Sequence, residues 1–190
     1  KCLESKERLL GAEHPDTLKS VNGMGVLLSK MGSYKEAEKY IMRALEAQER
    51  VLGMEHPDTL DSVNVMGMQL LNTGNYKEAE KYFMRALEAQ ERVLGMEHPG
   101  TLTIVNNMGL VLSNMGNYEE AEKYYGRALE GRIKVLGEDH EDTLSTTCSL
   151  ASVLEDMERY EEAEEYYRKE LEGLEKTVGM EDSDTLISVN

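Results

Sequence analysis

Four histidines, His14, His56, His98 and His140, are the side chains best suited to hold a metal or move a proton, and they recur at one position every 42 residues. A metal ion needs ligands converging at about 2.0–2.3 Å. Equivalent points on stacked helix pairs stand roughly 8–10 Å apart or more, so this spacing excludes a shared metal site and leaves loop packing or capping as the role. Cys2 and Cys148 lie more than three repeats apart, too far for Cα atoms to come within the roughly 7 Å a disulfide requires. Neither has a recurring His or acid beside it in the pattern that activates a thiol. Acidic residues are abundant, but none pairs with a candidate nucleophile, and the chain has no G-x-x-x-x-G-K-[ST] loop. These residues predict a protein without catalysis, metal or cofactor.

The elements that would position any site come from the period itself. The stretch RALEAQERVLGMEHP stands unchanged at Arg43–Pro57 and Arg85–Pro99, and its glycine recurs as Gly11, Gly53, Gly95, Gly137 and Gly179. A fixed period of this length marks stacked units of supersecondary structure. One unit reads as two helices. Pro15 suits a first helical turn, where no amide donor is needed, and Leu18, Val21, Gly25 and Leu28 follow at the spacing of a buried face. Gly32 supplies the left-handed residue that ends this helix A.

Ser33 with Glu36 reads as a capping box opening helix B, repeated by Asn75 with Glu78 and Asn117 with Glu120. Helix B carries Ala37, Tyr40, Ile41, Ala44, Leu45 and Leu52 on its apolar side. Glu46 and Arg50 sit at i and i+4 on its wet side, a pair repeated as Glu88 and Arg92, Glu130 and Lys134, and Glu172 and Lys176. Each such pair is worth about 0.2–0.5 kcal/mol to a helix. Gly25, Gly67, Gly109 and Ala151 hold one position of helix A. Glycine inside a helix costs roughly 1 kcal/mol against alanine, so its recurrence predicts close contact with helix B. Met24, Met66 and Met108 read as core.

The predicted boundaries are residues 1–12 as the second half of a helix B, full repeats at 13–54, 55–96, 97–138 and 139–180, and the start of another helix A at 181–190. The missing half-helix and the lack of polar capping repeats predict an excerpt of a longer array, with self-association through uncapped ends as one consequence. The net charge of −16 argues against nucleic acid, which needs clustered Lys and Arg. It favours neutral or basic partners. No apolar run approaches the roughly 20 residues of a membrane span, and a cytoplasmic protein is expected.

The small residue of helix A, the alanines of helix B (Ala37 and Ala44, Ala79 and Ala86, Ala121 and Ala128), the G-x-Y turns (Gly32–Tyr34, Gly74–Tyr76, Gly116–Tyr118) and the linker VLGxEHPxTL together resemble the tetratricopeptide repeat in its 42-residue, kinesin-light-chain-like form. Similar arrays form the C-terminal sensors of fungal and bacterial signal-transducing ATPases. The resemblance covers essentially the whole chain. It implies an all-α, right-handed superhelical solenoid of antiparallel helix pairs that binds a protein or peptide in a concave groove lined by helices A. A ligand-sensing, self-associating array attached to a signalling ATPase is the alternative.

The groove positions implied by that resemblance are Lys19, Asn22, Val26 and Ser29, then Asp61, Asn64, Met68 and Leu71, then Thr103, Asn106, Leu110 and Ser113, with Asn107 adding a second amide. Asn is a poor helix former, yet it is kept mid-helix at Asn22, Asn64, Asn106 and Asn190. Each amide offers a donor and an acceptor, so such a ladder can pair with the main chain of an extended peptide whatever its sequence. The fourth repeat departs from the pattern at Cys148, Glu158, Glu141 and Glu170. Few groove positions are basic apart from Lys19 and Lys30, which argues against the acidic-cargo preference of kinesin light chain.

Overall fold

The computed structural model describes residues 2–177, and every regular element among them is an α-helix. Residues 181–190, including Asn190, lie outside the described residues. The chain divides into two compact units, Lys1–Leu94 and Gly95–Asn190. The first holds α1 (Cys2–Leu10), α2 (Pro15–Lys30), α3 (Tyr34–Val51), α4 (Pro57–Asn72) and α5 (Tyr76–Val93). The second holds α6 (Pro99–Asn114), α7 (Tyr118–Leu136), α8 (Glu141–Asp156) and α9 (Tyr160–Thr177).

Within each unit, successive helices pack in chain order, and the two helices A also touch directly, α2 with α4 and α6 with α8. In the first unit α3 and α5 meet through long side chains, Arg85 reaching Glu49 at 2.6 Å. The helix A layer is thus closely joined backbone to backbone, which makes it a continuous wall within a unit.

Each helix A opens at a histidine cap. The backbone N–H groups of Asp16, Asp58, Gly100 and Asp142 donate to Nδ1 of His14, His56, His98 and His140 at 3.1–3.2 Å. That bond satisfies one of the four orphan amides of a helix start. It also fixes the imidazole tautomer, because Nδ1 must present a lone pair. Capping is therefore the role of the histidine row.

The turn from helix A to helix B is a Schellman motif. Gly32 N–H donates to the Ser29 carbonyl and Ser33 N–H to the Leu28 carbonyl, both at 2.9 Å, with Gly32 at φ 76°. The capping boxes expected at Ser33, Asn75 and Asn117 do not form, since none of these side chains makes a cap hydrogen bond. The Schellman bond accounts for the Glu half of the box. A capping box needs the N-cap N–H for the Glu three residues on, and that N–H is already given to Leu28, Leu70 or Leu112.

The recurring glycine of helix A sits against helix B as its position predicts. A Cβ on Gly25 would lie 2.5 Å from Ile41 Cγ1, on Gly67 2.6 Å from the Phe83 ring, and on Gly109 2.8 Å from the Tyr125 ring. Ile41, Phe83 and Tyr125 are consequently buried, and Phe83 alone is worth about 1.5–3 kcal/mol of apolar burial. In the fourth repeat the methyl of Ala151 occupies this space. The matching Tyr167 is only half-buried, its hydroxyl 3.0 Å from Glu155 Oε2 and 3.2 Å from Ser152 Oγ. Met66 and Met108 are buried, as a core role requires, and Met24 is half-buried.

The charged face of helix B differs from its local reading. Arg50 pairs with Glu13 at 2.6 Å, Arg92 with Glu55 at 2.5 Å, Lys134 with Glu97, and Lys176 with Asp139 at 3.1 Å. The basic partner of each expected i, i+4 pair reaches instead to the acidic residue of the preceding linker. Each bridge ties the end of helix B to the linker that opens its own repeat and is largely exposed, so each contributes at most about 1 kcal/mol.

Candidate functional site

In the first unit, the wall turned away from helices B carries Lys19, Asn22, Val26 and Ser29 on α2 and Asp61, Asn64, Met68 and Leu71 on α4. Leu18, Val21 and Gly25, on the opposite side of α2, are fully buried. Asn22, Val26, Ser29, Asn64, Met68 and Leu71 are half-buried, and Lys19 and Asp61 are exposed. In the second unit the same register places Thr103, Asn106, Leu110 and Ser113 on α6, all half-buried. Beside them on α8 stand Ser145, Cys148, Ser152 and Glu155.

Asn107 is a correction. Its side chain is only 8% exposed, so it adds no second amide to the open wall. Helical geometry explains this, since one residue is about 100° of rotation and carries Asn107 off the face that Asn106 occupies.

The asparagine row has a further role that joins helices A. The Thr146 hydroxyl of α8 lies 3.1 Å from Asn106 Oδ1 of α6 and 3.0 Å from the Asp142 carbonyl, and its single hydrogen serves one of them. The corresponding atoms of the first unit, Asn22 Oδ1 and Ser62 Oγ, are both buried without a hydrogen-bond partner. The Asn106 carbonyl oxygen is thus turned toward α8, which leaves its NH₂ group as the donor for a bound chain.

Behind this row, the last turn of helix B ties into the following helix A. Lys6 Nζ donates to Ser20 Oγ at 2.8 Å and to the Asp16 carbonyl at 3.3 Å. In the second unit the buried Arg132 does the same, donating to Thr146 Oγ1 at 2.6 Å and the Asp142 carbonyl at 2.7 Å. Burial lowers the pKa of Arg132, and the Asp142 charge opposes that shift. Sequence reasoning missed both devices. The recurring hydroxyls Ser20, Ser62 and Thr146 were the available clue.

The charges on the wall are unevenly shared. Lys19 Nζ lies 3.1 Å from Asp58 Oδ1, bridging α2 to α4, and that hydrogen bond and charge hold the Lys19 ammonium above its usual range. Although Asp61 as a residue is exposed, desolvation of its carboxyl and the Asp58 charge raise its pKa, with Lys19 opposing them. In the fourth repeat, burial and the Glu170 carboxylate push the Cys148 thiol up to about 11. A thiol held protonated in this way is a poor nucleophile. Among the described residues no three His, Cys, Asp or Glu side chains converge on a metal position, and no helix is long and apolar enough to cross a membrane.

Sequence profiles described as tetratricopeptide repeat match residues 62–113 and 101–176, and a second such profile matches residues 17–58. A search of curated proteins found no match. Among solved structures, a kinesin light chain-like protein of nearly identical TPR-like repeats from Podosopora anserina is 23% identical. It covers 92% of this chain and 83% of its own, with a TM-score of 0.80. BtubC (BKLC) from P. vanneervenii is 20% identical over 90% of this chain and 68% of its own, with a TM-score of 0.78. A Rap protein complexed with competence and sporulation factor is 15% identical over 97% of this chain and 54% of its own, with a TM-score of 0.77. The profiles together span well over half the sequence. The chain belongs to the tetratricopeptide repeat family.

Proposed function

We propose that this chain is a non-catalytic interaction scaffold whose helices A hold a peptide or partner segment along the groove face they turn away from helices B. The observation that carries this reading is the set of half-buried side chains on a layer otherwise free to solvent. Val26, Met68 and Leu71 in the first unit and Leu110 in the second stand beside Asn22, Asn64 and Asn106. Apolar side chains next to amide donors are what an extended segment needs, since contacts to its side chains supply area and amides pair with its backbone. Support also comes from the similar Rap structure, a complex with competence and sporulation factor. The net charge of −16 favours neutral or basic segments.

The test is a triple substitution, Asn22→Ala, Asn64→Ala and Asn106→Ala, measured by fluorescence titration against a peptide selected on the unaltered chain. An affinity loss with helicity unchanged by circular dichroism supports the reading. Unchanged affinity rejects it.

A further inference from the structure

The wall of the first unit is graded across its width. At the N-terminal ends of α2 and α4 stand Lys19, Asp58 and Asp61, and toward the C-terminal ends stand Val26, Met68 and Leu71. Lys19 is committed to Asp58 at 3.1 Å, so the pair is neutral, and Asp61 has no ion-pair partner among the described residues. One margin of the wall therefore carries a net negative charge and the other is apolar, with Asn22 and Asn64 between them. The second unit lacks this grading, because Thr103 and Ser145 take the places of Lys19 and Asp61.

From this we infer that the first unit binds an amphipathic segment whose basic side chains face Asp61 and whose apolar side chains cover Val26, Met68 and Leu71. Charge complementarity selects this occupant. An acidic segment would place its carboxylates against Asp61 with Lys19 already neutralised, and like charges so close are unfavourable. A basic segment gains a counter-ion. The apolar margin keeps a merely cationic, unstructured chain from satisfying the wall, since its half-buried side chains reward only apolar cover. The inference rests on the scaffold reading above and assigns the partner's chemistry to it.

The experiment selects a displayed library of random peptides on the full chain, on Asp61→Lys and on Leu71→Glu. Both substituted residues lie on the solvent side of α4, and thermal unfolding followed by circular dichroism checks that each variant folds. The unaltered chain is expected to enrich peptides combining Lys or Arg with apolar residues. Asp61→Lys should lose or reverse the charge bias, and Asp61→Asn should bind the best basic peptide about two- to fivefold more weakly. Enrichment of acidic peptides, or no charge bias on the unaltered chain, overturns the inference. If Leu71→Glu abolishes binding while Asp61→Asn changes nothing, the wall is the binding site and the charge assignment alone fails. If Leu71→Glu leaves binding intact, the scaffold reading fails and takes the inference with it.

Discussion

Replacing Glu158 by glycine should stabilise the second unit by about 1 kcal/mol. Three helix A to helix B turns place glycine in the left-handed region, Gly32 at φ 76° and Gly74 and Gly116 at φ 77°. The fourth places Glu158 there at φ 60°, a non-glycine residue with positive φ. The turn is otherwise intact, since Arg159 N–H still donates to the Leu154 carbonyl at 2.9 Å and Glu158 N–H to the Glu155 carbonyl at 2.9 Å. The cost is therefore local to one Cβ, which crowds the backbone in this conformation.

Removing that Cβ also removes a carboxylate from a turn crowded with Glu155, Asp156, Glu161 and Glu162. Glu158→Gln separates the two effects, because it discharges the side chain and keeps the Cβ. Chemical denaturation followed by circular dichroism should show Glu158→Gly stabilised beyond Glu158→Gln. For a chain of this size the gain corresponds to roughly 2–4 °C in Tm. Equal stability of the two variants would refute the backbone argument and assign the gain to charge.

Four further outcomes follow from the same structure. Gly67→Ala should destabilise by about 1–3 kcal/mol in denaturation, because its Cβ would meet the Phe83 ring at 2.6 Å. Alanine's helix preference of roughly 1 kcal/mol offsets part of that cost, and a stabilised variant would contradict it. His56→Ala should cost about 1 kcal/mol, whereas His56→Asn, also able to accept from Asp58 N–H, should recover most of it. In a Cys2→Ser background, alkylation of Cys148 should keep accelerating with pH up to about 11, where an ordinary thiol levels off near 8.5. The same raised pKa means the folded state holds its thiol proton more tightly than the unfolded chain. That stability contribution is complete below the ordinary thiol range and is lost as pH rises toward 11.

The repeat length, the helix pairs, the left-handed glycines and the close approach of the helix A glycines to helix B were legible because each is written in local spacing and then repeated. The features that were not legible depend on neighbours distant in sequence. Arg50 meets Glu13 and not Glu46 because the antiparallel hairpin returns the end of helix B to the linker that opens its own helix A. The Ser33–Glu36 box loses its Glu half because Leu28 takes the Ser33 N–H, a competition visible only once the preceding turn is built. The wall residues were located by family register, yet their cross-helix duties were not. Asn106 against Thr146 and Lys19 against Asp58 both join helices 40 or so residues apart in the chain.

The central claim, that a partner lies on the helix A wall, is tested most directly by methionine-methyl NMR. Met68 is half-buried on that wall, whereas Met84 on α5 and Met54 and Met96 in the linkers are exposed elsewhere. On titration with a library-selected peptide, the Met68 methyl resonance should shift while those of Met54, Met84 and Met96 stay in place. Shifts at Met84, Met54 or Met96 with Met68 unmoved would put the partner on another face and contradict the account.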